Sequence, residues 1–268
     1  MSNDDSSTVI LTGLNVLVTR PAHQQQSLVD AIQDSSASTV SLPLLEITPI
    51  PKSEIAPETI AAIQNLDRFD ILIFVSSNAA QIGGDLIDNY WPQFPVGITV
   101  IAIGQTTSRA VTTLLECTVI TPEQGSDSEA VLSLPQLEDV AGKRVGIMRG
   151  RGGRELLQSE LTERGAEVTV LEVYERNAIH YDTNEVTELL SSTSCNVITV
   201  HSGESLLRLL ELIGDNRDQI TLLPLVVPSD RVRKMALDEG FSDVLNASGA
   251  DDSSMLAALQ QVAAQADN

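Results

Sequence analysis

Phe69–Val75 (FDILIFV) is a nearly unbroken apolar run that ends on Ser76-Ser77-Asn78 and passes at once into a helical pattern. A run of that length, rich in β-branched and aromatic residues, predicts a strand buried on both faces. The same order returns along the chain. Val100–Ile103 leads into Gly104-Gln105-Thr106-Thr107 and a helix through Leu115. Lys143–Met148 leads through Gly150–Arg154 to a helix that Gly165 stops. Val197–Val200 leads into His201-Ser202-Gly203, and Leu222–Val227 into Pro228-Ser229-Asp230-Arg231. Nearer the start, Asn15–Thr19 precedes Arg20-Pro21 and a helix carrying Leu28, Val29 and Ile32. Strands that alternate with helices in this way predict parallel sheets covered by helices, an α/β fold.

About ten such strands are expected, enough for two sheets of about five. Two places break the pattern. Pro43–Pro51 (PLLEITPIP) is too rich in proline for a helix and is read as an extended boundary. Glu167–Leu171 is a buried-type strand that gives way to charge at Glu172-Val173-Tyr174-Glu175-Arg176. A weak internal repeat supports two halves: IFVSSNAA at Ile73–Ala80 is matched by ITVHSGES at Ile198–Ser205.

Composition narrows the function. Hydrophobic residues make up 42% of the 268 and aromatic ones only 3%, so the core must be aliphatic. The formal net charge of −21 argues against nucleic acid and anionic membranes as partners. Cys117 and Cys195 lie far apart and read as structural thiols in a reducing compartment. His23, His180 and His201 have no metal-ligand spacing. The opening MSNDDSSTVILTG lacks the pattern of an export signal, and no stretch is apolar enough to span a membrane, so a cytoplasmic protein is expected.

In open parallel sheets ligands bind beyond the carboxyl ends of the strands. Those ends carry Arg20, Ser76, Ser77, Asn78, Gln105, Thr106, Thr107, Arg149, Arg151, Ser202, Ser229 and Asp230. Singly, the hydroxyl and amide residues read as helix caps. Together, several helix N-termini and a few arginines form a receptor for carboxylates or phosphates. Arg149-Gly150-Arg151-Gly152-Gly153-Arg154 has the setting of a phosphate loop without the third glycine of a dinucleotide fingerprint or the Gly-Lys-Ser/Thr of a nucleotide loop. A nucleotide-dependent enzyme and a two-domain hinge-type binder of anionic small molecules are therefore alternatives. No nucleophilic triad or metal cluster stands out, so catalysis by positioning and fixed dipoles is expected.

Val16-Leu17-Val18-Thr19-Arg20-Pro21, Phe74-Val75-Ser76-Ser77-Asn78-Ala79, Ala102-Ile103-Gly104-Gln105-Thr106-Thr107, Glu172-Val173-Tyr174-Glu175-Arg176 and the closing helix Ala250–Leu259 carry a resemblance. In order and spacing, from Leu14 to Ala264, they resemble the uroporphyrinogen-III synthase family. The resemblance implies two flavodoxin-like parallel-sheet domains joined by a two-stranded ladder. On this sequence that means residues 1–47 with 178–268, residues 48–171, and linkers at 46–50 and 172–177. It implies a monomeric lyase, without metal or cofactor, that closes hydroxymethylbilane to uroporphyrinogen III with inversion of the last ring, the bilane being handed over by the preceding deaminase. It assigns Tyr174 as the acid that assists departure of the hydroxyl. It assigns Thr19, Arg20, Ser76–Asn78, Thr106, Thr107 and Ser202 to substrate binding, to which the strand-end reading adds Gln105, Arg149 and Ser229, and the arginine loop Gly150. Asp230 departs from the family pattern, and a carboxylate there opposes a polyanionic substrate.

Overall fold

Each central strand alternates its side chains between two apolar layers, which explains why the strand sequences are apolar without interruption. In the computed structural model, which describes residues 11–266, Leu17 joins one core cluster while Val16 and Val18 join another. In the same way Leu72 and Phe74 face one layer, and Ile71 and Ile73 the other. All seven of these side chains are at most 2% exposed. The acidic opening stretch at 1–10 and the last two residues of the tail lie outside the described residues.

The elements follow the alternation. β1 (Asn15–Val18), α1 (Gln26–Asp34), β2 (Ser38–Ser41) and β3 (Leu45–Pro49) come first. Then follow α2 (Pro57–Gln64), β4 (Ile71–Phe74), α3 (Ser77–Asp88), β5 (Thr99–Ala102), α4 (Gln105–Leu115), β6 (Val119–Ile120) and α5 (Ser128–Leu132). β7 (Arg144–Gly150), α6 (Leu156–Glu163) and the long β8 (Glu167–Ala178) complete the middle of the chain. The last third holds α7 (Thr183–Thr193), β9 (Val197–Thr199), α8 (Gly203–Ile213), α9 (Arg217–Ile220), β10 (Leu225–Val227), α10 (Asp230–Asp238), β11 (Val244–Asn246) and α11 (Asp252–Ala266). Asp127 is the N-cap of α5, and its carboxylate accepts the Ala130 N–H at 2.9 Å.

The chain divides into two compact units: Met1–Glu46 with Ala178–Asn268, in their described parts, and Ile47–Asn177. In unit 1 the sheet runs β2-β1-β9-β10-β11, all parallel. Numbered within the unit, that is the flavodoxin-like order 2-1-3-4-5. In the sheet of unit 2 the order is β3-β8-β7-β4-β5-β6, with β8 through β6 parallel. Without β3, its internal order is 3-2-1-4-5, the other doubly wound arrangement. The strand order reverses between β1 and β9 in unit 1 and between β4 and β7 in unit 2. These two switch points are where such sheets open a crevice at their carboxyl ends.

The charged break at Glu172 does not end the covered strand. β8 stays paired with β7 as far as Tyr174 opposite Gly150, with a register shift at Arg149/Gly150. Arg149 faces Glu172 and Gly150 faces Tyr174, so Val173 is the extra residue of a β-bulge. The bulge puts the consecutive Val173 (1% exposed) and Tyr174 (2% exposed) into the same core cluster. On its other edge β8 meets the β3 segment, where Ile50 N–H donates to the Val173 carbonyl at 3.0 Å. Exposure begins only at Asn177.

Candidate functional site

In unit 2 the switch point gathers four residues. Ser76 follows β4 and caps α3, its Oγ accepting the Ala79 N–H at 3.0 Å. The same oxygen lies 3.1 Å from the Tyr174 hydroxyl. Arg176 Nη1 donates to that hydroxyl at 3.3 Å, and its guanidinium sits 5.8 Å from the ring centroid. Gly150 makes room for the ring, since a Cβ there would lie 2.6 Å from Tyr174 Cε2 and Cζ. Ser77 and Asn78 are half-buried in the first turn of α3. α4 starts at Gly104 without a side-chain cap, so first-turn N–H groups remain for an anion. Around it, Thr106 is exposed, Thr107 is buried at 4%, and Gln105 donates to Thr121 Oγ1 at 2.9 Å.

In unit 1 the switch point holds Thr19 and Arg20 after β1, and His201 and Ser202 after β9. Thr19 is 1% exposed and donates to the Thr199 carbonyl at 2.7 Å, so its hydroxyl ties the strands together. Arg20 pairs with Asp252 at the start of α11, which also accepts from Ser27. Ser202 caps α8 through the Ser205 N–H at 3.0 Å, and Ser229 caps α10 through the Val232 N–H at 3.4 Å. Asp230 is exposed and accepts from Asn246 Nδ2 at 2.8 Å.

The family model for uroporphyrinogen-III synthase HemD matches residues 26–257. The uroporphyrinogen-III synthase of Escherichia coli (strain K12) is 35% identical over 252 residues, covering 92% of this chain and 100% of that protein. That of Salmonella typhimurium (strain LT2) is 34% identical over 249 residues, with the same coverage of 92% and 100%. This chain belongs to the uroporphyrinogen-III synthase family. At the level of the fold, a crystal structure of a mutant uroporphyrinogen III synthase from the extremely thermophilic bacterium Thermus thermophilus superposes with a TM-score of 0.64 at 15% identity, covering 94% of this chain and 99% of that one. The Helicobacter pylori uroporphyrinogen-III synthetase structure gives 0.53 at 15% identity, covering 93% and 99%.

Membership does not favour the hinge-type binder. The geometry of the arginine loop weakens the nucleotide alternative too. Arg149 is 9% exposed and donates to the Gly153 and Arg154 carbonyls and to Glu172, each at 3.3 Å. Arg151 pairs with Glu175, and Arg154 forms a two-pronged bridge to Glu129 at 2.6 and 2.7 Å. Gly152 supplies the turn with φ +65°. All three guanidinium groups are thus committed to carboxylates of this chain. Within this loop, Arg149 Nε is buried without a partner among the described residues, beside a hollow of about 290 Å³ that Arg149, Arg151 and Glu172 help to line. Arg154→Ala is expected to change stability by at most about 0.5 kcal/mol, because its bridge is exposed. Arg149→Ala should cost about 2–3 kcal/mol in a urea titration, since it strands two loop carbonyls and a carboxylate.

The thiols behave as structural ones. Cys117 and Cys195 are free and half-buried, and burial pushes both above the ordinary thiol pKa. No metal-binding group of His, Cys, Asp and Glu occurs among the described residues, and no described helix is long and apolar enough to cross a membrane.

Sequence reasoning did not single out Arg176, Asp252 or His201. Arg176 lies two residues from Tyr174, and i to i+2 is the same-face spacing of a strand, a signal already present in the motif. Asp252 lies 232 residues from Arg20, and nothing local announces that pairing.

Proposed function

We propose that this chain converts hydroxymethylbilane to uroporphyrinogen III. The hydroxyl of the terminal hydroxymethyl group leaves as water, giving an azafulvene. The last pyrrole then attacks the exocyclic carbon of that azafulvene through its substituted α-position, and the resulting spiro intermediate rearranges with that ring inverted. All bonds made and broken belong to the substrate, so the protein contributes a proton for the leaving hydroxyl, charge complementarity and a fixed bilane conformation. We further read the enzyme as a cytoplasmic monomer that receives its unstable bilane from the deaminase that makes it.

The observation that carries the assignment of roles is the contact between Tyr174 and Ser76 at the unit 2 switch point. Tyr174 is 2% exposed, whereas Ser76 is half-buried, so Ser76 is the group through which the phenol proton meets the substrate. Arg176 donates to the phenol oxygen, the atom that carries charge once the proton has left. Each unit offers such groups of its own for acetate and propionate: the helix N-termini at Ser77 and Gln105 in unit 2, and those at Gly203 and Asp230, with Arg20, in unit 1.

The direct test is incubation with fresh hydroxymethylbilane and separation of the oxidised porphyrin isomers. Isomer III is expected, and isomer I alone overturns the reading. Tyr174→Phe should lower kcat about 10²-fold with the fold intact. Ser76→Ala should act similarly, beyond a cap loss of about 1 kcal/mol in stability. The two should be far from additive, because they interrupt one relay. Unchanged turnover in Tyr174→Phe removes the acid role.

A further inference from the structure

His201 sits where the unit 1 sheet reverses order, between the ends of β1 and β9. The residue as a whole is half-buried, yet both ring nitrogens, Nδ1 and Nε2, are buried and have no hydrogen-bond partner among the described residues. A neutral imidazole offers one donor and one acceptor. Leaving both unmet in the folded protein costs stability, so such groups call for a partner from outside the chain, a water or a ligand.

The surroundings indicate the ligand's charge. His201 immediately precedes the N-cap of the 11-residue helix α8. Ser202 satisfies the Ser205 N–H, which leaves the N–H groups at the very start of the helix pointing outward. A Cβ on Gly203 would lie 3.2 Å from Arg231 Nη1, so a guanidinium stands over the first turn. Arg231 makes a 3.3 Å contact with Met235 Sδ and has no carboxylate partner among the described residues. Arg20 is near enough to act on the imidazole electrostatically. The acids at this edge are turned elsewhere: Asp252 is held by Arg20 and Ser27, and Asp230 by Asn246. Glu204, in the first turn of α8, is exposed.

We infer that His201 is a substrate-binding residue, donating an imidazole N–H to a carboxylate of the tetrapyrrole at the N-terminus of α8. The inference rests on the proposed reaction for the identity of that carboxylate, but not for its existence. The neutral ring does not serve as the acid of the reaction. Its contribution is to hold one acidic side arm, and through it one pyrrole ring, against unit 1.

The test compares His201→Leu and His201→Asn with the wild type, each checked for folding by circular dichroism. KM and kcat for hydroxymethylbilane are measured beside the Kd for uroporphyrin III, which carries the same acetate and propionate groups. His201→Leu is expected to raise KM and Kd about tenfold or more, with the loss falling on KM rather than kcat. His201→Asn, which keeps one donor, should fall between. If His201→Leu fails to fold, His201→Asn decides alone. KM and Kd within twofold of wild type in a folded variant overturn the inference and leave His201 a structural residue. If the wild type makes only isomer I, yet uroporphyrin binding weakens with His201→Leu, the proposed reaction falls and the carboxylate site stands.

Discussion

Acidification from pH 7 to pH 4 is expected to cost unit 1 several kcal/mol of stability, and His201→Leu to abolish most of that loss. Burial of the imidazole, with the nearby Arg20 charge second, lowers the pKa of His201 to about 3. In the unfolded chain the same group titrates near ~6.5. Above that pH both states are neutral and the stability is fully present. As pH falls from about 6.5 towards 3, the unfolded chain binds a proton that the folded chain refuses, so stability drops by about 1.4 kcal/mol per pH unit. The ceiling is about 5 kcal/mol, comparable to the whole stability of a small domain. Asp251 acts in the same direction in a lower window. Burial alone would raise its carboxyl, but donors from Ser253 and Ser254 outweigh that and hold it below its ordinary value.

The measurement is urea denaturation at pH 7.5, 6, 5 and 4, followed by far-ultraviolet circular dichroism. The one tryptophan, Trp91, lies in unit 2 and donates to the Ile63 carbonyl at 2.7 Å, so its fluorescence reports that unit separately. His201→Leu should also be more stable than wild type at pH 7.5, by about 1–3 kcal/mol, because two unmet polar atoms have gone. A wild-type stability that stays flat between pH 7 and 4 contradicts the buried neutral imidazole. A gain in stability together with a loss of substrate affinity is the pattern of a residue retained for binding.

What could be read from the chain, and what could not, divides along the range of the forces. Phe69–Val75 announced its strand because being buried on both faces demands an apolar side chain at nearly every position. Ser76, Ser202 and Ser229 announced their helices because capping is settled within three residues. The bulge at Val173 was illegible. Its only trace is that two neighbours, Val173 and Tyr174, are both apolar enough to bury, and the charge at Glu172 pointed towards an exposed ladder instead. The order of strands in unit 2 was equally hidden, since a parallel crossover can add its strand on either side. The arginine loop misled for a related reason. Arg149, Arg151 and Arg154 in a glycine-rich turn suggest an anion, until Glu172, Glu175 and Glu129 arrive from other elements to neutralise them. The proposed site could be read where a family motif met a strand end, as at Ser76, or lay within a strand, as at Tyr174. It was illegible where one residue's meaning depends on an unmet bond, as at His201.

Gly150→Ala is expected to disable the enzyme more thoroughly than Tyr174→Phe, although it adds a single methyl group. At Gly150 the backbone is not in the left-handed region, so the requirement for glycine is one of space alone. An alanine Cβ would stand 2.6 Å from two carbons of the Tyr174 ring and 3.0 Å from Arg176 Nη1. The Arg176 side chain can swing aside at little cost. The ring cannot, because it is 2% exposed and packed in the core of unit 2, and because the Val173 bulge fixes the backbone on which it stands. Arg151 N–H donates to the Tyr174 carbonyl at 2.8 Å, which pins the same stretch from the β7 side. Relief therefore requires the ring to rotate out or β7 and β8 to part. Overpacking of this kind costs about 1–3 kcal/mol. Either movement separates the Tyr174 hydroxyl from Ser76, so kcat should fall by at least the roughly 10²-fold expected of losing the acid. Gly150→Ala combined with Tyr174→Leu supplies the control. Replacing the ring with a smaller side chain should restore stability to that of Tyr174→Leu alone while leaving turnover low. If Gly150→Ala by itself keeps wild-type stability and turnover, the ring does not occupy the position from which the proton transfer has been argued.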